Sequence, residues 1–518
     1  MPVLLPNAAE TTLGQALRAV AEARPDAPAL LGEARQLTWS ELDGEVDRLA
    51  RLLTAVGVGP GDPVGVLTEK RPEVVTTFLA CARIGALLCP VNFKLHEDRV
   101  LDQLQTIGMK TLLAERKFDP LLAHLAPALP EARRVIYVGE PGERGESRYD
   151  ELESMPDIAV EHVARPEQAC YLNFTSGTTG RPKGAVATHR NILANAVSGV
   201  EGFGFDSDDV FMGMFSVFSH PHELFHRSLV VGAPFVIWDT MSPRVVCQAV
   251  ERFRVTWMMA VPSFYEMMLD FGGAGKLDLS SLRVLEAGGA WTSPLAMAEL
   301  ERCYGAKVMP VWGSTETTGV ALAMPPHLQR LPGATGKPAP GYEIRVVTPS
   351  GADAAVGEVG ELWVHGPGVA QGYLNRPEES ARYFADGWYH TQDLVKVDAE
   401  GWVHFAGRLS EMMKIGGIRV YPQELEQVLG QHPALREVVV VRHEERLRGE
   451  VARAIVVTVP GSTLTLRELQ RWCREHLAVY QVPRVIEFWR QIPRLPNGKV
   501  DKQRLLATPV DPQRDERD

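Results

Sequence analysis

Between Tyr171 and Gly184 a short apolar run, Tyr171-Leu-Asn-Phe, passes into Thr175-Ser176-Gly177-Thr178-Thr179-Gly180-Arg181-Pro182-Lys183-Gly184. Four hydroxyl side chains, three glycines and a lysine within ten residues suit the holding of a phosphate chain. Glycine lets backbone N–H groups turn inward on anionic oxygens, the hydroxyls add donors, and Lys183 adds a point charge. This is not a Walker loop, because Pro182 rather than glycine precedes the lysine. A Gly/Thr-rich run by itself is as readily a surface turn, so the length and order of the string carry the reading.

The ten-residue string resembles the phosphate loop of the adenylate-forming superfamily: acyl-CoA synthetases, peptide-synthetase adenylation domains and luciferases. The likeness runs from Leu37-Thr-Trp-Ser-Glu-Leu near the start to Lys499, with further motifs in the family's order. Trp312-Gly313-Ser314-Thr315-Glu316 is similar to the aromatic-Gly-x-Thr-Glu motif. The resemblance implies that the indole stacks on adenine, Thr315 contacts phosphate and Glu316 helps to hold Mg²⁺. An indole face and a carboxylate suit those tasks. Upstream, Ala287-Gly288-Gly289-Ala290-Trp291 takes the place of a Gly-Gly-Ala-Pro segment lining the adenine and acyl pockets, with Trp291 where proline is usual.

Trp388-Tyr389-His390-Thr391-Gln392-Asp393 is similar to Trp-x-x-Thr-Gly-Asp, so Asp393 is implied to accept from both ribose hydroxyls, with Gln392 in place of glycine. Arg408-Leu409-Ser410 and the following Lys414-Ile-Gly416-Gly417 resemble the family's hinge into a mobile C-terminal domain. That implies ribose contact for Arg408, nucleotide or acyl contact for Lys414 and a pantetheine channel at Gly416-Gly417. Ser410 fills the hinge position usually held by Asp or Lys. Lys499, in Arg494-Leu-Pro-Asn-Gly498-Lys499, is implied to be the catalytic lysine. Negative charge builds on the phosphoryl oxygens as a carboxylate attacks the α-phosphorus, and a fixed ammonium binds that state more strongly than the ground state. Taken alone, a lysine on a late glycine turn is a solvated side chain; four motifs upstream reverse that reading.

The acyl-binding loop fits least well. Met214-Phe-Ser-Val-Phe218-Ser219-His220-Pro221-His222-Glu223-Leu-Phe-His226 does not align cleanly with the family's Pro-Leu-Phe-His, which leaves the place of His220 open. Phe218, His220, Trp291 and Thr317 are taken as the substrate pocket. Three histidines and a glutamate could be a metal cluster; a gating or polar substrate contact ranks above that, and plain helix-surface histidines above both. Amino-acid-activating relatives place an aspartate in this loop, and none occurs between residues 212 and 238, which disfavours an α-amino acid. An aromatic acid stands slightly ahead of an aliphatic one.

The elements that must position these groups alternate. Helices are expected over 40–53, with Ser40 as cap, and 72–84. Strands are expected at 37–39, 63–67, 135–138, 185–187, 235–238, 256–260 and 308–311, so βαβ units in largely parallel sheets follow. Short strands at 341–347, 360–364, 388–390 and 394–398 suggest a β-rich unit, and strands at 438–441 and 454–459 with a helix at 466–477 suggest a compact mixed one. The fold class is therefore α/β: a large N-terminal domain of mostly parallel sheets with a small β-rich subdomain, over 1–409, and a small mobile α+β C-terminal domain, over 410–507. The charged end, 508–518, is expected to fray. At 518 residues one core is too few.

Six scattered cysteines with no C-x-x-C pair argue against a zinc or disulfide framework, and a net charge of −11 against a general nucleic-acid binder. The longest apolar stretch, 74–91, is broken by Thr76, Thr77 and Arg83, so it reads as a buried helix entering a strand rather than a membrane span. With no basic n-region at the start, a cytoplasmic location is expected. The reading is an AMP-forming acid–thiol ligase using ATP, Mg²⁺ and coenzyme A on a small carboxylic acid, as a monomer or homodimer. A carrier-protein thiol or an amine is the alternative acceptor. A non-catalytic adenylate-binding protein is disfavoured by the presence of Lys183, Glu316, Asp393, Arg408 and Lys499.

Overall fold

The helix expected over 72–84 forms as Pro72–Ile84, and the strand after it as Leu87–Pro90. Proline starts the helix where its missing N–H is no loss, and Gly85 ends it at φ 74°. Every residue from Glu73 to Ile84 is buried, which explains a continuous apolar run in place of an amphipathic stripe. The computed structural model that gives these elements describes residues 5, 7–129, 134–139, 147–149, 151, 160, 164–174, 183–290, 292, 294–328, 331, 333–445, 449–495, 499–511 and 514–515.

Two large sheets form the scaffold. One has seven strands, in the order Ser147–Arg148, Arg134–Val138, Thr111–Glu115, Pro63–Leu67, Leu87–Pro90, Ala169–Phe174, Gly184–Thr188. The other has nine, with Gly319–Ala323, Lys307–Ser314, Val284–Ala287, Trp257–Ala260, Phe211–Gly213 and Phe235–Ile237 as successive neighbours in its centre. Pairing is parallel through most of both sheets, as the alternation of strands and helices requires. It turns antiparallel at Ala169–Phe174 with Gly184–Thr188, and again at Lys307–Ser314 with Gly319–Ala323. Residues 175–183 and 315–318 are the links across those reversals. Both chemistry-bearing segments therefore follow the carboxyl ends of strands in the two large sheets, where α/β sheets bind ligands.

A third sheet, of five antiparallel strands, is the β-rich unit: Glu343–Val347, Gly360–His365, Trp388–Val397 with Phe384–Ala385 and Val403–Arg408 beside it. After it, Leu435–Glu445, Gly449–Thr458 and Val485–Phe488 make a three-stranded sheet whose apolar side packs on helices Pro422–Leu429 and Leu466–His476. Its core, built around Leu425, Val440, Ala454, Leu469 and Ile486, is separate from those of the two large sheets.

Three local expectations need correction. Thr38, not Ser40, caps the helix Trp39–Ala55, because its hydroxyl reaches Glu41 N and Glu41 reaches back to Thr38 N. The two strands expected at 388–390 and 394–398 are one, Trp388–Val397, which carries Gln392 through a left-handed kink at φ 62°. Residues 508–511 and 514–515 are not frayed. Arg453, buried in the C-terminal sheet, donates to Thr508 O at 2.9 Å, Asp511 N donates to Glu487 at 2.7 Å, and Phe488 pairs with Asp515.

Candidate active site

Strand pairing sets Asp393 directly opposite Arg408. Arg408 Nε lies 2.9 Å from Asp393 Oδ1, and Trp312 donates its indole N–H to Oδ2 at 2.8 Å. Three residues from separate motifs thus meet, and the bond to Asp393 fixes the plane of the Trp312 ring. Burial pushes the Asp393 carboxyl above its ordinary range, against the opposing pull of Arg408, Trp312 and Lys499. Arg408 is raised by the same carboxylate. Gln392 takes up the left-handed backbone that glycine would adopt freely, tied by its N–H and side-chain amide to Glu361 at 3.0 and 2.6 Å.

Trp312, Gly313 and Ser314 end the strand Lys307–Ser314, and Thr315, Glu316 and Thr317 form the next turn. Only glycine fits at 313, where a Cβ would stand 2.2 Å from Gly319 O. Ser314 caps the turn through Thr317. Thr317 itself is fully buried and donates to the carbonyls of Ser314 and Gly319, so it shapes the turn rather than presenting a free hydroxyl to a pocket. Glu316 is buried and accepts from Tyr373 Oη at 2.7 Å. Lys183 Nζ stands over the rings of Tyr383 and Tyr373, at 4.0 and 5.1 Å. Two chemistry-bearing side chains 133 positions apart are therefore linked through one tyrosine.

Sequence reasoning missed Tyr373 and Tyr383. Their placement comes from residues 371–374 docking as an extra edge on Gly184–Thr188, through Val186 N to Gly372 O at 3.0 Å and Leu374 N to Gly184 O at 2.8 Å. Nothing in the spacing of the tyrosines announces that pairing.

Lys499 is exposed in the C-terminal unit, and its carbonyl accepts from Leu495 N at 2.7 Å. Its Cε lies 3.6 Å from where a Cβ on Gly289 would be, and Gly289 itself sits at φ 80° beside exposed Ala290. Its ammonium feels Asp393, Glu316 and Arg408, and desolvation together with Arg408 lowers its pKa. The lysine thus reaches from the small unit to Gly289 of the large one. Lys414, Gly416 and Gly417 are not brought there. They lie on the exposed hairpin Met413–Ile415 and Ile418–Val420, where Lys414 N bonds Glu450 at 2.6 Å. Ser410 lies between, in the turn Leu409–Glu411. Thr175, Ser176, Gly177, Thr178, Thr179, Gly180 and Trp291 fall outside the described residues.

Two of the three histidines of the acyl loop are not surface groups. His222 and His226 are fully buried, and His220 faces His222 with ring centroids 5.9 Å apart. His222 bonds Thr318 O and His226 bonds Asn195 Oδ1, each at 3.3 Å. Among the described residues no group of three His, Cys, Asp or Glu could hold a metal ion, so the metal reading of the cluster fails. Burial lowers the imidazoles of His189 and His220 to about 4 and that of His222 to about 3, and drives His226 well below its usual value. Glu223 goes the other way, to about 8, through burial and the Glu286 charge against the pull of Arg227. Phe218, buried at the loop's start, packs edge-on against Phe93 at 5.4 Å.

A stability consequence follows. The unfolded imidazoles take protons from about pH 6.5 downward, while the folded ones resist until about 4. Over that window the unfolded chain binds more protons, so stability is full above about 6.5 and declines as pH falls. Glu223 and Glu266, protonated in the fold up to about pH 8 and about 7, oppose this with two protons against four histidines. The urea midpoint is expected to drop steadily between about pH 6.5 and 4, and a flat profile would contradict it.

Comparison with known proteins joins these features. The family model for AMP-binding enzymes matches residues 17–374, and that for the AMP-binding enzyme C-terminal domain matches 424–499. The chain belongs to the AMP-binding enzyme family. It is 34% identical over 489 residues to a feruloyl-CoA synthase of Amycolatopsis, covering 92% of this chain and 95% of that one. An indoleacetate–CoA ligase of Aromatoleum aromaticum is 32% identical, with 92% and 94% covered. A fatty acid–[acyl-carrier-protein] ligase of Streptomyces coeruleorubidus is 31% identical, with 95% and 96% covered. Among solved structures, an anthranilate CoA ligase in complex with anthranoyl-AMP superposes at TM-score 0.89 with 28% identity, covering 97% of each chain. An amide bond synthetase of Marinactinospora thermotolerans does so at 0.86 with 27% identity, covering 95% and 99%. The protein is thus an AMP-forming ligase with the α/β architecture of that family. No described helix is long and apolar enough to cross a membrane.

Proposed function

We propose that the protein is an ATP-dependent carboxylate–CoA ligase acting on an aromatic acid. In the first half-reaction a carboxylate oxygen attacks the α-phosphorus of ATP, giving acyl-AMP and pyrophosphate. In the second the coenzyme A thiol displaces AMP from that mixed anhydride and forms the thioester. The observation that carries the reading is Lys499, set beside Gly289 and within the field of Asp393, Glu316 and Arg408. An ammonium so placed can stabilise charge developing on the phosphoryl oxygens. Asp393 and Arg408 would hold the ribose, Trp312 the adenine, and Thr315 with the 175–184 loop and Lys183 the phosphates.

Mg²⁺ suits the donor set. The buried Glu316 carboxylate already has one oxygen held by Tyr373, and a Mg²⁺ that keeps waters and phosphate oxygens needs only one or two carboxylates. Glu316 would hold it, and the ion would supply neutralising charge on the triphosphate.

Residues 1–409 and 410–507 would act as two bodies hinged near Ser410. Their rotation would withdraw Lys499 and bring Lys414 and the Gly416-Gly417 turn to the cleft for the thiol step. The six cysteines are free, as a reducing cytoplasmic setting would keep them, and the mechanism uses none. The relatives acting on feruloyl, indoleacetate and anthranilate groups support the aromatic choice. The carrier-protein ligase and the amide bond synthetase support a second reading, with the same first half-reaction and a different acceptor.

The test is ATP–pyrophosphate exchange across aromatic, arylalkanoic and aliphatic acids, followed by thioester formation with coenzyme A. Exchange with no acid would overturn the ligase, exchange without thioester would overturn the acceptor, and a preference for aliphatic acids would overturn the substrate class.

A further inference from the structure

His220 and Glu223 sit one turn apart in the buried segment Pro221–Leu224 and its cap, with Glu223 N bonded to His220 O at 3.1 Å. His220 Nδ1 is buried without a hydrogen-bond partner and lies 3.7 Å from Glu223 Oε2, a few tenths of an ångström beyond bonding distance. The His220 side chain is 22% accessible against 5% for Glu223. With Nδ1 buried, the accessible part is the other edge of the ring, and the Lys499 ammonium acts on this imidazole from the cleft. The loop is pinned just before it, where Tyr171 Oη and Asn173 Nδ2 both donate to Ser219 O.

We propose that Glu223 is a positioning residue: its carboxyl donates to His220 Nδ1, fixing the tautomer whose Nε2–H is offered to the acyl oxygen in the cleft. This rests on the ligase reading above.

Each group that faces the pair leaves Glu223 free for the task. Arg227 is spent on a two-point pair with Glu286, at 2.6 and 2.8 Å. His222, neutral, is bonded to Thr318 O, and His226 to Asn195. Tyr171 and Tyr342 are pushed above the ordinary phenol range by burial and stay protonated. Glu223 therefore keeps its proton up to about pH 8, and His220 stays neutral down to about 4. Below about 8 the carboxyl donates and Nε2 carries the ring proton. Above it the carboxylate accepts, the ring proton moves to Nδ1, and a bare Nε2 lone pair faces an anionic substrate. An Nε2–H donor also grips the acyl oxygen more strongly as charge collects there during thiol attack.

The experiment compares wild type, Glu223→Gln, Glu223→Ala and His220→Ala in exchange assays from pH 6.5 to 9.5. In the wild type, KM for the acid should climb above about pH 8. Glu223→Gln keeps a donor and cannot titrate, so its KM should stay near the wild-type low-pH value at every pH. Glu223→Ala and His220→Ala should each raise that KM about tenfold, with KM for ATP unchanged, and the double variant should be no worse than either alone. Neutralisation of Lys499 lowers kcat in every variant alike and so drops out of the comparison. An alkaline KM rise that persists in Glu223→Gln would sink the proposal, as would additive losses in the double variant. Nitrogen-15 spectra of histidine-labelled enzyme, with His220 assigned by its alanine variant, read the tautomer without substrate. Nε2–H below about pH 8 supports the pair, and Nδ1–H there refutes it even if no acid drives exchange.

Discussion

Replacing Lys499 with alanine should lower acid-dependent ATP–pyrophosphate exchange by about 10²–10³-fold, the loss seen when one preorganised transition-state donor is removed. Among the described residues Lys499 is the group that the C-terminal unit carries to Gly289, and its ammonium feels Asp393, Glu316 and Arg408 there. Its pKa is lowered by desolvation and by Arg408. KM for ATP should change far less than kcat, because the interaction grows as the α-phosphoryl oxygens gain charge. The second half-reaction gives an internal control. Pre-formed acyl-AMP plus coenzyme A should yield thioester in the variant at close to the wild-type rate. An equal loss in both half-reactions would mean that Lys499 holds the units together rather than serving adenylation.

The groups that the sequence made legible are those packed into short strings. Trp312 to Glu316 lies within five residues, and Trp388 to Asp393 within six, so pattern alone located them. Strand register then completed what spacing could not: Asp393 meets Arg408 because the two are cross-strand partners, and Trp312 reaches Asp393 from another sheet. Tyr373 was illegible for the opposite reason, since its link to Glu316 depends on an edge pairing with residues 184–186 almost two hundred positions earlier. The histidine loop misled in a simpler way. Polar residues at helical spacing read as a solvated face unless their partners are visible, and here Thr318 and Asn195 are the partners that hold His222 and His226 inside. The parallel sheets were readable from alternation; the two antiparallel reversals that carry the loops were not, because a strand's direction leaves no mark on its composition.

The scaffold under that loop should give a large stability effect. Arg227 and Glu286 are 2% and 0% accessible, joined at two points, and Trp257 adds a third bond to the same carboxylate at 2.9 Å. Arg227 lies in the first turn of the helix His226–Val231, and Glu286 in the central strand Val284–Ala287, so the pair bolts the histidine loop to the sheet. Arg227→Ala leaves a buried carboxylate without its countercharge, at a cost of about 3–5 kcal/mol. Its unfolding midpoint in urea should fall accordingly. The double change Arg227→Met with Glu286→Gln should recover most of the loss, because neither charge is then stranded and the amide can still accept from Trp257. If the single variant were as stable as wild type, the pair would not be the anchor. If the double variant were no better than the single, shape rather than charge would be what holds the loop. In the recovered variant the loop keeps its packing, so the pH dependence of the acid KM should shift only through the lost Arg227 and Glu286 charges, which act on Glu223 in opposite directions.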